Sequence, residues 1–236
     1  MKKYGKSYPL LSIIVTFCTF ILVLFVSLVP TAMNRNFYED QFIENNTTQA
    51  AKLTLDDLNE LIDHTLKYTY GNLEHLQYQI TTTDGVTKDA FNDREIAHME
   101  DVQKLFINGR RLTDICALLF VIITFFLVWK KDKINHKTFT ISLITLSSIF
   151  LIMLAVLIYA ATNFDQAFTI FHQIFFNNDL WLLDFNDMLI IMLPESLFYA
   201  IATRTLIKFL IFIILISGLL LFLRHHYIKK EKKLVS

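Results

Sequence analysis

The sequence predicts an all-α membrane protein, with four transmembrane helices and a small, mainly helical extracytoplasmic cap. Three observations carry this. Of 236 residues, 54% are hydrophobic, and they gather in four apolar runs close to the roughly 20 residues a helix needs to cross a hydrocarbon core. Lysine and arginine cluster in alternate segments between those runs. The longest polar segment shows helical rather than alternating periodicity.

Taken in order, residues 1–7 are a basic amino terminus containing Lys2, Lys3 and Lys6, and residues 8–29 form the first span. This start resembles a secretory signal, but the run is long and lacks a small-x-small cleavage site, so it reads as a retained helix. Residues 30–113 form the cap, with 14 acidic against 8 basic side chains beneath a net charge of zero for the whole chain. Residues 114–129 are the second span, which is short unless Arg110, Arg111 and Lys130 snorkel from its ends. Residues 130–138, with Lys130, Lys131, Lys133 and Lys137, precede the third span at 139–161. An aromatic interfacial loop occupies 162–202, the fourth span 203–223, and a basic tail 224–236. If the spans alternate, every basic cluster falls on one side, which the positive-inside rule makes the cytoplasm. Both termini are therefore expected there, in a multi-pass protein of the cell membrane.

Within the cap, Leu55, Leu58, Leu61, Ile62 and Leu66 give helical spacing over Leu53–Tyr78, with Thr54 and Asp57 in a capping-box arrangement. Asp84-Gly85 suits a tight hairpin or loop, and residues 79–92 are expected to form a small ordered irregular element. A second helix over about 93–111 carries Ile96, Met99, Val102, Leu105 and Phe106 on one stripe and leads almost directly into the second span. The two cysteines, Cys18 and Cys116, are expected to be buried apolar residues at similar depths.

Two histidines stand out. His98 lies between Glu95 and Asp101 at helical spacing, where a carboxylate can fix a ring tautomer. A solvated helix face accounts for the same pattern. His172 lies among Phe168, Phe171, Phe175 and Phe176, which exclude water and favour the neutral base; an interfacial anchor is the plainer reading. Asn178, Trp181, Asp184, Asp187 and Glu195 follow in the same loop. Asp179, Asp184, Asp187 and Glu195 need partners in so apolar a segment, and Arg204, Arg110, Arg111 or loop amides are the candidates. His136, His225 and His226 fall on the cytoplasmic side, and His64 and His75 are placed on cap helices without a comparable apolar setting.

There is no zinc-protease, P-loop, dinucleotide or nucleophile-elbow motif, and no metal or cofactor is expected. Nothing calls for a nucleic-acid partner. The spans contain few ionisable residues, which weighs against transport.

The motifs Arg94-Glu95-Ile96-Ala97-His98-Met99-Glu100-Asp101-Val102 and Phe171-His172-Gln173-Ile174-Phe175-Phe176, followed by Asn178, Trp181, Asp184, Asp187-Met188-Leu189-Ile190 and Leu193-Pro194-Glu195, resemble those of the lipoprotein intramolecular transacylases of Gram-positive bacteria. The resemblance runs over nearly the whole chain and implies four membrane helices beneath an extracellular cap. It also implies an activity that moves the sn-2 acyl chain of a diacylglyceryl lipoprotein onto the α-amino group of the same amino-terminal cysteine, giving a lyso-form product. The family's two catalytic histidines match His98 and His172, at the interface of cap and membrane. Proline is common in the family at the position of Phe185, so the turn there is expected to differ. The implied partners are a diacylated lipoprotein and membrane lipid.

That chemistry needs no protein nucleophile. His172 is assigned as the base for the amine and His98 as the partner acid, with the exchange of roles left open; Asp101 or Glu95 would orient His98, and Asn178 or a loop amide would meet the oxyanion. The alternative class is a non-enzymatic membrane sensor or assembly protein whose acidic cap binds a partner. A metal-dependent membrane hydrolase is a third.

Overall fold

A computed structural model describes residues 8–130 and 135–235. Lys2, Lys3, Lys6, Lys131 and Lys133, expected to mark the cytoplasmic face, lie outside the described residues. Among the described residues the chain is all-α apart from one two-stranded ribbon, and four helices are long and apolar enough to cross a membrane. Its residues fall into two compact units.

The first unit comprises residues 8–27, 111–130, 135–164 and 206–235. It holds most of α1 (Pro9–Ala32), the apolar part of α5 (Asp93–Trp129), α6 (His136–Thr162) and most of α9 (Glu195–Val235). Phe20, Val23, Leu146, Phe209 and Ile213 form its small core, with the rings of Phe20 and Phe209 edge to face at 5.7 Å. Many other apolar side chains on these helices are exposed, among them Phe125, Ile152 and Ile214, as lipid-facing residues must be. Cys18 and Cys116 are both free, buried and hydrogen-bonded to each other, in agreement with the sequence. The carboxylate of Glu231 accepts both the backbone N–H of His136, at 2.9 Å, and its ring Nδ1–H, at 2.7 Å. This caps the start of α6 from α9.

The second unit comprises residues 28–110 and 165–205. Two short helices precede the expected one. Asn34 caps α2 (Arg35–Glu44) by accepting from Asn36 N, and α3 (Thr47–Ala51) sits between left-handed Asn46 and Lys52. The predicted capping box of Thr54 and Asp57 opens α4 (Leu55–Thr69). That helix is shorter than its periodicity implied. Gly71, at φ +84°, turns the chain out of it, so residues 70–78 are not helical and His75 is not on a helix. Where the sequence implies a small irregular element, β1 (Gln79–Thr81) pairs antiparallel with β2 (Thr87–Asp89) around the Asp84-Gly85 turn, one of the two forms that pair suits. Then α5 runs without a break from Asp93 to Trp129.

The segment read as an interfacial loop is partly regular. It contains α7 (Phe164–Phe175) and α8 (Met188–Met192), and α9 already begins at Glu195, ahead of the residue 203 expected for its span. Leu58, Leu61 and Ile62 of α4 are wholly buried in one core with Phe37 and Phe42 of α2, Met99 of α5, Met188, Leu189 and Met192 of α8, and Leu197 of α9. That core fixes α5 and α8 as the rigid supports of the site.

Candidate active site

The second unit holds both histidines, neither of them in an apolar spanning stretch. His98 stands in the second turn of α5 and His172 in the last turn of α7, and their rings lie 5.9 Å apart between centroids, tilted by 34°. Only 9% of His98 and 6% of His172 is exposed. Residues 74 positions apart in sequence thus share one cluster, built of aromatic rings. Trp181 stacks on His172 at 4.8 Å, Phe168 lies 4.0 Å from it, and Phe176 contacts both rings, at 5.4 Å from His98 and 5.5 Å from His172.

One hydrogen bond decides the chemistry of His172. Its Nδ1 lies 2.7 Å from the Phe168 carbonyl oxygen. A carbonyl only accepts, so Nδ1 carries the proton and Nε2 presents a bare lone pair. Burial pulls the imidazole below its ordinary pKa, partly opposed by that carbonyl bond. His98 has no ring hydrogen bond among the described residues. Burial pushes it down to about 4, the nearby His172 adds to the shift, and Asp101 works against it. At neutral pH the pair is therefore two uncharged imidazoles.

This has a consequence for stability. With its folded pKa depressed from 6.5 to about 4, His98 favours the folded state fully above pH 6.5, and that contribution is lost as the pH falls to about 4. The loss amounts to roughly 3 kcal/mol. Thermal melts of detergent-solubilised protein across pH 7 to 4 are expected to show it in the wild type and much less of it in a His98→Gln variant. Equal acid sensitivity in the two would contradict the assignment.

The remaining predicted residues take supporting positions, several of them different from those expected. Neither Glu95 nor Asp101 hydrogen-bonds His98. Asp101 accepts from Asn178 Nδ2 at 2.8 Å and from Lys104 Nζ at 3.1 Å, which hold its carboxyl below the ordinary range while it acts on His98 only through its charge. Glu95 is buried and receives backbone N–H groups; burial raises its pKa despite them. Asn178 is engaged on both sides, accepting from Leu180 N while donating to Asp101, so it pins the loop rather than facing an oxyanion.

Asp187 accepts from Asn92 Nδ2 and from Asp184 N, both at 2.8 Å, and Asp184 and Glu195 are exposed. Of the expected arginine partners, Arg204 lies over the Phe37 ring and Arg110 over Tyr70. Phe171 touches His172 edge-on at 5.4 Å, whereas the Phe175 ring meets that of Phe171 at 4.8 Å without meeting a histidine. Among the described residues no three His, Cys, Asp or Glu side chains converge as a metal site would require.

Three contributors escaped the sequence reading. Asn92 caps α5 and reaches Asp187; Arg94 donates to the Asp179 carbonyl; the Phe168 backbone sets the His172 tautomer. The first had a signal, since Asn92-x-x-Glu95 is a capping box in sequence. The other two rest on contacts to backbone oxygens, which no residue type reveals.

The family described as "Lipoprotein intramolecular transacylase Lit" matches residues 13–198. Among solved structures, the membrane integral lipoprotein intramolecular transacylase Lit from Bacillus cereus superposes with a TM-score of 0.72 at 21% identity, covering 95% of this chain and 97% of that one. A variant of that protein with one histidine replaced by arginine gives 0.68 at 22% identity, covering 95% and 93%. These likenesses establish the fold. An uncharacterized protein of Aquifex aeolicus (strain VF5) is 28% identical over 114 residues, 48% of either chain, so this chain spans about half the length of the curated relative it matches. With the family match reaching over most of its length, the chain belongs to the lipoprotein intramolecular transacylase family.

Proposed function

We propose that this protein moves the sn-2 acyl chain of a diacylglyceryl lipoprotein onto the α-amino group of the same molecule's amino-terminal cysteine, with His172 and His98 as the catalytic pair. One observation carries the reading: two buried imidazoles lie beside each other, and one of them has a bare Nε2 fixed by a backbone carbonyl.

An α-amino group titrates near pH 8, so its neutral form is accessible at modest cost. As its nitrogen attacks the ester carbonyl, a C–N bond forms and His172 Nε2 takes the N–H proton. The tetrahedral carbon then expels the glyceryl oxygen, and the imidazolium returns that same proton to it. His98, uncharged at pH 7, carries no stored proton to give. Its N–H instead donates a hydrogen bond to the oxygen that gathers negative charge, which narrows the acid role assigned from sequence. Amine and ester belong to one molecule, so the largest task of the protein is conformational. An aromatic cluster that folds the substrate on itself supplies orientation worth up to about 11 kcal/mol.

The membrane setting follows the same reading. The second unit lies on the extracytoplasmic side and both termini on the cytoplasmic side, because the basic segments alternate with the spans. On α7, Ile170 and Ile174 opposite the buried His172 and Phe171 and Phe175 along its flank are exposed, a surface suited to acyl chains. Substrate and membrane lipid meet the cluster there.

The decisive assay mixes the purified protein with a diacylated lipoprotein. Transfer is an isomerisation, so intact mass stays constant, while tandem mass spectrometry finds one acyl group moved from an alkali-labile ester to a stable amide on the cysteine nitrogen. A lipoprotein whose two chains both remain alkali-labile would overturn the reading and leave a sensor or assembly role.

A further inference from the structure

Only 1% of Glu95 is exposed, and among the described residues no lysine, arginine or histidine forms an ion pair with it. Its carboxylate is divided between two helix starts. Oε2 accepts from Asn92 N at 2.8 Å, while Asn92 Oδ1 accepts from Glu95 N and Arg94 N at 3.0 Å each, which closes a capping box on α5. Oε1 accepts at 2.7 Å from Leu189 N, in the first turn of α8 and 94 positions away in sequence. Amide N–H groups at two helix starts thus offset part of the cost of burying the charge.

The placement of these two helices is what matters. His98 stands one turn beyond Glu95 on α5. Leu189 follows the loop that lays Trp181 on His172. Three other ties join the same two segments: Asn92 to Asp187, Asn178 to Asp101, and Arg94 to the Asp179 carbonyl, all exposed to water. The Glu95–Leu189 bond is the buried one, where water does not compete and loss leaves unsatisfied groups.

We infer that Glu95 is a positioning residue for the acyl transfer: by capping α5 and α8 with one carboxylate, it sets the spacing of His98 against the loop that holds His172. The kinetic part of this inference rests on the function proposed above. Glu95 touches neither imidazole and acts through the two helix starts.

The test separates the two caps. In α4 an aspartate already closes a capping box at the equivalent position, Asp57 with Thr54. A Glu95→Asp substitution therefore keeps the cap on α5 but is one methylene too short for Leu189. It is expected to lower kcat for acyl transfer by about tenfold to a hundredfold, with KM within about threefold of wild type. A Leu58→Ala variant, destabilised through the core alone, is expected to keep its kcat below its melting temperature. Emission of Trp181, read in a Trp129→Phe background, is the second measurement: Glu95→Asp shifts it by loosening the stack on His172, and Leu58→Ala leaves it in place. Should Glu95→Asp fail to fold, Glu95→Gln replaces it: its single carbonyl oxygen can keep only one of the two caps, so a kcat and a Trp181 emission both equal to wild type would again overturn the inference. A Glu95→Asp kcat equal to wild type, or an unchanged Trp181 emission, would overturn the inference and leave Glu95 a local cap. If the wild type moves no acyl chain, the proposed function fails, and the fluorescence still decides whether Glu95 positions the loop.

Discussion

Replacing His172 with alanine is expected to reduce the rate of acyl transfer by about a thousandfold, within the range of 10² to 10⁴ that a positioned general base contributes. The expectation comes from a single atom. Nε2 of His172 has its lone pair free because Nδ1–H is bound to Phe168, and none of Trp181, Phe168 or Phe176 around it can replace a proton acceptor. His98→Ala should cost less, about a hundredfold, since it removes a hydrogen-bond donor to developing charge rather than the proton acceptor. The double variant should lose little more than His172→Ala, because the two side chains serve one transition state. First-order appearance of the N-acylated cysteine, followed by tandem mass spectrometry, measures all three. A His172→Ala protein within about fivefold of wild type would remove His172 from the chemistry.

The sequence made the two histidines legible because each departs from its surroundings. His172 interrupts an apolar aromatic helix, and His98 sits between acids on an amphipathic one. It could not show that their rings meet, since that depends on the packing of α7 and the loop after it against α5. Contacts across the gap of 77 to 95 positions between these segments, such as Asn178 with Asp101 and Asn92 with Asp187, leave no local pattern. The roles given to the acids illustrate the limit. Charge spacing suggested that Glu95 orients His98, yet a carboxylate at the third position of a helix is closer to amide N–H groups than to a side chain one turn ahead, and the capping geometry prevailed.

The fold was legible where the periodicity was long. The apolar runs, the α4 stripe, the turn at Asp84-Gly85 and the continuity of α5 all reflect patterns of ten residues or a marked turn. α2 and α3 had neither. They are short, and the ends of α3 depend on Asn46 and Lys52 adopting left-handed backbone that favours glycine. The early end of α4 at Gly71 follows the same physics, with the residue present that the turn needs.

The site depends on that small core, so truncating it should have the second largest effect. Leu61 is wholly buried, on the same face of α4 as Leu58 and Ile62 and in one cluster with Phe37, Phe42, Met192 and Leu197. Leu61→Ala removes three carbons from a close-packed site, and the loss of transfer energy together with the cavity left behind costs about 2 to 5 kcal/mol. That is a large share of the roughly 5 to 15 kcal/mol by which folded proteins are stable. The damage should be local. The core of Phe20, Val23, Leu146, Phe209 and Ile213 in the first unit shares no residue with this cluster, so its apolar helices should remain folded while α2, α4 and α8 open. Hydrogen exchange in detergent is expected to show faster exchange for amides of residues 35–69 and 188–192 in Leu61→Ala, and unchanged protection for residues 139–161. Acyl transfer should fall only in proportion to the fraction opened, since neither histidine has lost a contact. Uniformly faster exchange across both units would instead mean that the two cores unfold as one, and the separate stability assigned to the site-bearing unit would be wrong.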